Sequence, residues 1–114
     1  MADPLTLRSN NPGAIEFGPF AQQYGAASDG RFAVFPDMDT GYRAMDGLLD
    51  TYQRKHGLNT VRGIVERWAP RNADNNSTDG YIAKVAQGVG VAPDDPLTPG
   101  HRPALLRAMA GYEA

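Results

Sequence analysis

The sequence contains no cysteine. That excludes disulfides and thiolate metal sites and ties the fold to no redox compartment. Histidine is almost as scarce: His56 and His101 lie far apart and lack metal-ligand spacing, so neither a metal nor any other cofactor is expected. No sign of charge dominates. Eleven Lys and Arg against 13 Asp and Glu leave a net charge of −2, without the basic excess of a nucleic-acid binder. No apolar run approaches membrane-spanning length, which argues against a membrane partner. Met1-Ala2-Asp3-Pro4 lacks the basic and apolar stretches of a Sec signal. The expectation is a chain made in the cytoplasm; if it acts outside, something else must deliver it: cell lysis, a virion or a secretion machine. Gly-rich phosphate loops, serine nucleophile elbows and His-Glu-x-x-His are missing as well. Glutamate occurs only at Glu16, Glu66 and Glu113.

What is present fits one small domain. A chain of 114 residues buries one modest core. Residues 1–9 read as a flexible arm and 10–114 as the domain. Asn10-Asn11-Pro12-Gly13 reads as a turn. Ala14–Phe17 and Arg31–Phe35 alternate as short strands, forming an antiparallel hairpin across a loop at 18–30. Asp37 and Asp39 open a helix whose buried stripe is Tyr42, Met45, Leu48, Leu49 and Tyr52. It stops at Gly57, after the basic turn Arg54-Lys55-His56. Asn59 or Thr60 caps a second helix bearing Val61, Ile64, Val65 and Trp68, and Pro70 ends it. Thr78 caps a third with Tyr81, Ile82, Val85 and Val89. Pro93–Pro103 connects to a last helix carrying Leu105, Leu106 and Met109. The fold class is α+β and mostly helical, about four helices with a short N-terminal hairpin.

The chemistry converges on the amide corner. Two vicinal amides on a Pro-Gly turn suit a polar polymer such as a glycan, though Asn10 and Asn11 serve equally as turn and cap residues. Glu16 follows on the strand face opposite Ile15 and Phe17. Partly buried, it would be a general acid; otherwise it is a surface strand residue. Glu66 lies away from its helix's apolar stripe, and Glu113 is terminal. Asp74 and Asp79 flank a polar loop and serve as a second carboxylate or as helix caps. Trp68 lies on the core stripe, and its indole edge remains available to a sugar subsite. Arg67 beside it binds a carboxylate, either internal or from a peptide stem.

Arg8–Ile15, Phe32–Phe35, Gly41–Ala44, Gly57–Val61, Arg67–Pro70, Asn76–Thr78 and Tyr81-Ile82 resemble, in order, a pattern of small phage virion structural proteins. That pattern begins Arg-Asn-Asn-Asn-Pro-Gly-Asn-Ile, where this chain has Ser9 and Ala14, and it carries a second Pro where this chain has Arg71. The order Asn-Asn-x-Gly-x-Ile, an amphipathic helix, then Tyr81-x-x-Lys84-Val85 is similar to lysozyme-like peptidoglycan glucosaminidases. Their acid glutamate lies upstream of the corner, where this chain has only Asp3. The resemblance implies a lysozyme-like, virion-associated domain that engages the peptidoglycan glycan strand and other virion proteins. If it cleaves as a muramidase, glucosaminidase or lytic transglycosylase, Glu16 is the acid. Asn10, Asn11, Arg67, Trp68, Asn76 and Tyr81 then bind substrate. The alternatives are a non-catalytic capsid, tail or spike protein, which the missing upstream glutamate favours, and a peptidoglycan effector of a contractile secretion system.

Overall fold

A computed structural model describes residues 9–70 and 77–113. Among them the chain forms α1 (Pro19–Gln22), β1 (Ala27–Ser28), β2 (Ala33–Val34), α2 (Met38–His56), α3 (Val61–Trp68), α4 (Thr78–Val89), a 3-10 turn (Pro99–His101) and α5 (Arg102–Glu113). The fold is α+β and mostly helical, as the periodicity predicts, with five helices among the described residues. The expected arm lies, up to Arg8, outside those residues; Ser9 is buried. Packing divides the described chain into two compact units. One runs to Leu48 and resumes at Met109; the other is Leu49–Ala108.

In the first unit the hairpin differs from the expectation. β1 and β2 pair antiparallel, Ala27 opposite Val34 and Ser28 opposite Ala33. The turn between them is built by Asp29, whose carboxylate accepts the N–H groups of Arg31 (3.0 Å) and Phe32 (2.7 Å), and by Gly30 at φ +112°. Ala14–Phe17 does meet the 31–35 segment, but as a single bridge between Glu16 and Phe32. Two flanking bonds support it: Phe17 N–H donates to Arg31 C=O, and Ala33 N–H to Ile15 C=O, both at 2.9 Å. The 18–30 stretch is also not all loop, because Pro19 opens the short helix α1.

Asp37 starts α2 by accepting the Thr40 N–H at 2.7 Å; that bond holds its carboxyl below the ordinary range. The buried stripe of α2 is rotated from the expected one. Gly41, Ala44, Met45 and Leu49 are buried, while Leu48 and Tyr52 are half-buried and Tyr42 is 37% exposed. The cause is a close approach. The 10–12 corner presses on α2 where a β-carbon at Gly41 would collide with the Asn10 carbonyl oxygen and lie 2.8 Å from Pro12 Cδ. Only glycine accepts that contact, so the face carrying Gly41 turns inward and Tyr42 turns out.

In the second unit Thr60 caps α3 by accepting the Gly63 N–H at 3.0 Å. Val61, Ile64 and Val65 are buried there, and α3 packs against α4, which buries Tyr81, Ile82 and Val85. Each such side chain contributes roughly 1.5–3 kcal/mol of hydrophobic stabilisation. Ser77, not Thr78, caps α4; the Thr78 hydroxyl instead donates to Ala69 C=O at 2.8 Å. Gly90, at φ +87°, ends the helix in a left-handed cap. The connector is anchored by Leu97 N–H on Asn59 C=O at 2.9 Å. At the start of α5, Arg102 donates to Gln53 and lies 3.7 Å from Asp50.

Ala14 sits at φ +51°, a left-handed conformation in which a β-carbon costs about 1–2 kcal/mol. Asparagine, unlike alanine, tolerates such dihedrals. Ala14→Gly and Ala14→Asn are each expected to raise stability by about 0.5–1 kcal/mol, after the entropy of a more flexible unfolded chain is set against the gain for glycine. Urea unfolding midpoints check this, and a drop for both variants would refute the strain.

Candidate functional site

The amide corner belongs to the first unit and faces inward. Asn11 is 1% exposed. Its Nδ2 donates to the carbonyls of Ile15 (2.8 Å) and Ala33 (3.0 Å), and its Oδ1 accepts the Ile15 N–H at 2.9 Å. Asn10, in a left-handed conformation at φ +52°, donates from Nδ2 to Phe35 C=O at 3.1 Å. Phe35 N–H returns a bond to Ser9 C=O at 2.9 Å. The two side chains thus do what a neighbouring strand would do for the 31–35 segment. Among the described residues, no buried side-chain nitrogen or oxygen lacks a partner.

Glu16 stands apart from these amides in chemistry. Its Oε2 accepts from Arg31 Nε (3.1 Å) and Nη2 (3.0 Å), with the two side chains 63% and 49% exposed. The same guanidinium lies 4.7 Å over the Phe32 ring. A general acid needs a carboxyl in a dry, apolar wall. Glu16 is instead in solvent against a cation.

The second unit brings Arg67 and Trp68 together around Tyr52. The Arg67 guanidinium lies 5.3 Å from the Tyr52 ring centre, and Trp68 meets that ring edge-on at 5.7 Å. His56, one turn along α2, meets it edge-on at 6.4 Å. Burial pushes the Tyr52 hydroxyl up, opposed by the Arg67 charge and hydrogen bond. Arg67 is exposed and Trp68 half-buried. Tyr81, expected to touch substrate, is instead a core residue at 1% exposure, because its helical face packs against α3. Asn76 and Asp74 lie outside the described residues. Glu66 is half-buried and adds to the field that raises Arg62. Sequence reasoning placed Tyr52 in a core stripe and missed it as the hub. The signal was its i, i+4 spacing to His56.

A bidentate charge pair of the unit was also missed. Arg62 grips Asp94 with Nε on Oδ1 (2.8 Å) and Nη2 on Oδ2 (3.2 Å), and its backbone N–H donates to Pro93 C=O at 3.0 Å. The Arg62 hydrogen bond holds the Asp94 carboxyl below its ordinary range. Among the described residues, no group of three or more His, Cys, Asp or Glu could hold a metal, and no helix is long and apolar enough to cross a membrane.

No family model matches the chain. It is 34% identical over 112 residues to protein P5 of Pseudoalteromonas phage PM2, an alignment covering 94% of this chain and 69% of that protein.

Two expectations follow from this geometry. Asn11→Ala strands the backbone groups that its amide serves and is expected to cost about 3 kcal/mol, read from urea unfolding; a change below about 0.5 kcal/mol would refute the latch. Because the folded-state pKa of Asp94 is lowered, its pairing stabilises the fold above the unfolded value and is lost as pH falls through the folded one. The stability difference between parent and Asp94→Asn should therefore shrink as pH drops from about 5 to about 2, and a constant difference would refute it.

Proposed function

The chain belongs to the family of protein P5 of Pseudoalteromonas phage PM2, and on that premise we propose that it is a virion-associated structural component with no glycan-cleaving centre of its own. The observation that carries the reading is the Asn11 amide, fully engaged inside the fold at 1% exposure. A side chain so occupied supports no sugar contact. The solvent-exposed Glu16–Arg31 pair likewise favours a surface role over general-acid work. Other virion proteins are the expected partners.

One observation favours a second reading, in which the chain binds peptidoglycan without cutting it. Arg67 is exposed on the Tyr52–Trp68 cluster and faces no carboxylate among the described residues. This is the arrangement a peptide-bearing glycan would need.

Mass spectrometry of gradient-purified particles is expected to find the chain at a fixed copy number, and its absence would overturn virion association. Incubation of the purified protein with insoluble peptidoglycan should release no reducing-end or anhydro-muropeptides, with Glu16→Gln behaving identically. Fragments released by the parent and abolished in that variant would restore the enzyme, with Glu16 as its acid.

A further inference from the structure

The cations of the second unit sort into two sets. Arg54 pairs with Asp50 at 2.6 Å, Arg62 with Asp94 at 2.8 Å, and Arg102 lies 3.7 Å from Asp50. Lys55, Arg67, Lys84 and Arg107 have no carboxylate partner among the described residues, although the whole chain is acidic at a net charge of −2. Of these four, Lys55 and Arg67 are the two tied to Tyr52 by helix spacing or contact. Both Lys55 and Arg67 are exposed. Arg67 lies over the Tyr52 ring. Lys55 is three residues along α2 from Tyr52, beside His56, on the same helical face.

We infer that this face, formed by Tyr52, Lys55, His56, Arg67 and Trp68, recognises carboxylates, and that its ligand is the carboxylate-bearing stem peptide and adjoining sugar of peptidoglycan. The inference rests on the second reading above. Four physical points favour this ligand. Stacking on Tyr52 pre-orders the long Arg67 side chain, which lowers the entropy lost when its planar fork grips a carboxylate in two places. Two cations, one of them held on a ring, are too few for a polyanion, since a protein making about 6–10 phosphate contacts is the usual nucleic-acid case; they match discrete carboxylates. A lipid surface fits poorly because it is met by clusters of about 4–8 basic residues. Trp68 and Tyr52, half-buried, offer apolar ring surface beside polar tips, which suits the C–H face of a sugar.

The test is co-sedimentation of the full chain with teichoic-acid-free sacculi at low salt. It uses the parent, a Lys55→Gln/Arg67→Gln double variant, Arg67→Lys, and Glu16→Gln as control. Equal thermal midpoints verify folding of the variants. The parent and Glu16→Gln should pellet alike. The double variant should lose about tenfold in affinity, as expected for lost charged hydrogen bonds, and Arg67→Lys should fall between, keeping the charge without the fork. Sacculi with amidated carboxyls should bind the parent as weakly as intact sacculi bind the double variant. If the double variant pellets like the parent, the assignment of this face is overturned while wall binding stands. If the parent does not pellet, wall binding fails and the assignment with it. Displacement by a short single-stranded oligonucleotide, with no effect of amidation, overturns the assignment in favour of a polyanion.

Discussion

The first unit depends on one buried side-chain amide. Residues 10–15 must turn sharply, with Asn10 and Ala14 both in left-handed conformations, so this stretch cannot run as a regular ladder beside residues 31–35. Backbone groups left unpaired in the interior would each cost about 1–3 kcal/mol. Asn11 resolves the problem because a primary amide carries donors and an acceptor together. It serves Ile15 on both its N–H and C=O and reaches Ala33 across the gap. An aspartate of the same shape would supply no donor for the two carbonyls.

That latch has consequences along the chain. It fixes the corner in a conformation that places the Asn10 carbonyl against α2, and only a residue without a β-carbon tolerates the contact at Gly41. The inward position of Gly41 sets the rotation of α2. Met45 and Leu49 then face the interior, and Tyr42 is left in solvent. A single hydrogen-bonding requirement near the N-terminus thereby decides which aromatic residues of a helix some thirty positions later are available to partners.

The helices were legible because their signals are local. Thr60, Gly57 and Gly90 act where the sequence places them, and the apolar stripes of α3 and α4 are buried at Val61, Ile64, Val65, Tyr81, Ile82 and Val85, with Trp68 and Val89 half-buried. The rotation of α2 was not legible, since periodicity gives the repeat of a stripe and not its phase, and the phase came from a backbone contact between Asn10 and Gly41. The hairpin partner was misplaced for a related reason. Ala14–Phe17 has the alternation of a strand, but nothing in Ala14 announces a positive φ. At the candidate site, the Arg67–Trp68 pairing followed from adjacency, whereas the Arg62–Asp94 grip joins residues 32 positions apart with no pattern to announce it. Tyr81 shared a residue type with sugar-binding aromatics and a spacing with core aromatics, and packing against α3 decided between them.

The two amide-rich and aromatic-rich regions therefore differ in what they leave unsatisfied, and that difference bears on function more than residue type does. The Asn corner satisfies its own polar groups and leaves little to offer a ligand, whatever its likeness to a glycan-binding turn. The Tyr52 cluster satisfies its rings against one another and leaves the charge of Arg67 without a counter-ion among the described residues. A charge held on an aromatic face, rather than neutralised by the carboxylates that serve Arg54, Arg62 and Arg102, retains its attraction for an external anion within a Debye length of about 8–10 Å. In this chain the self-satisfied amide lies in one unit, and the exposed Arg67 lies on α3 of the other.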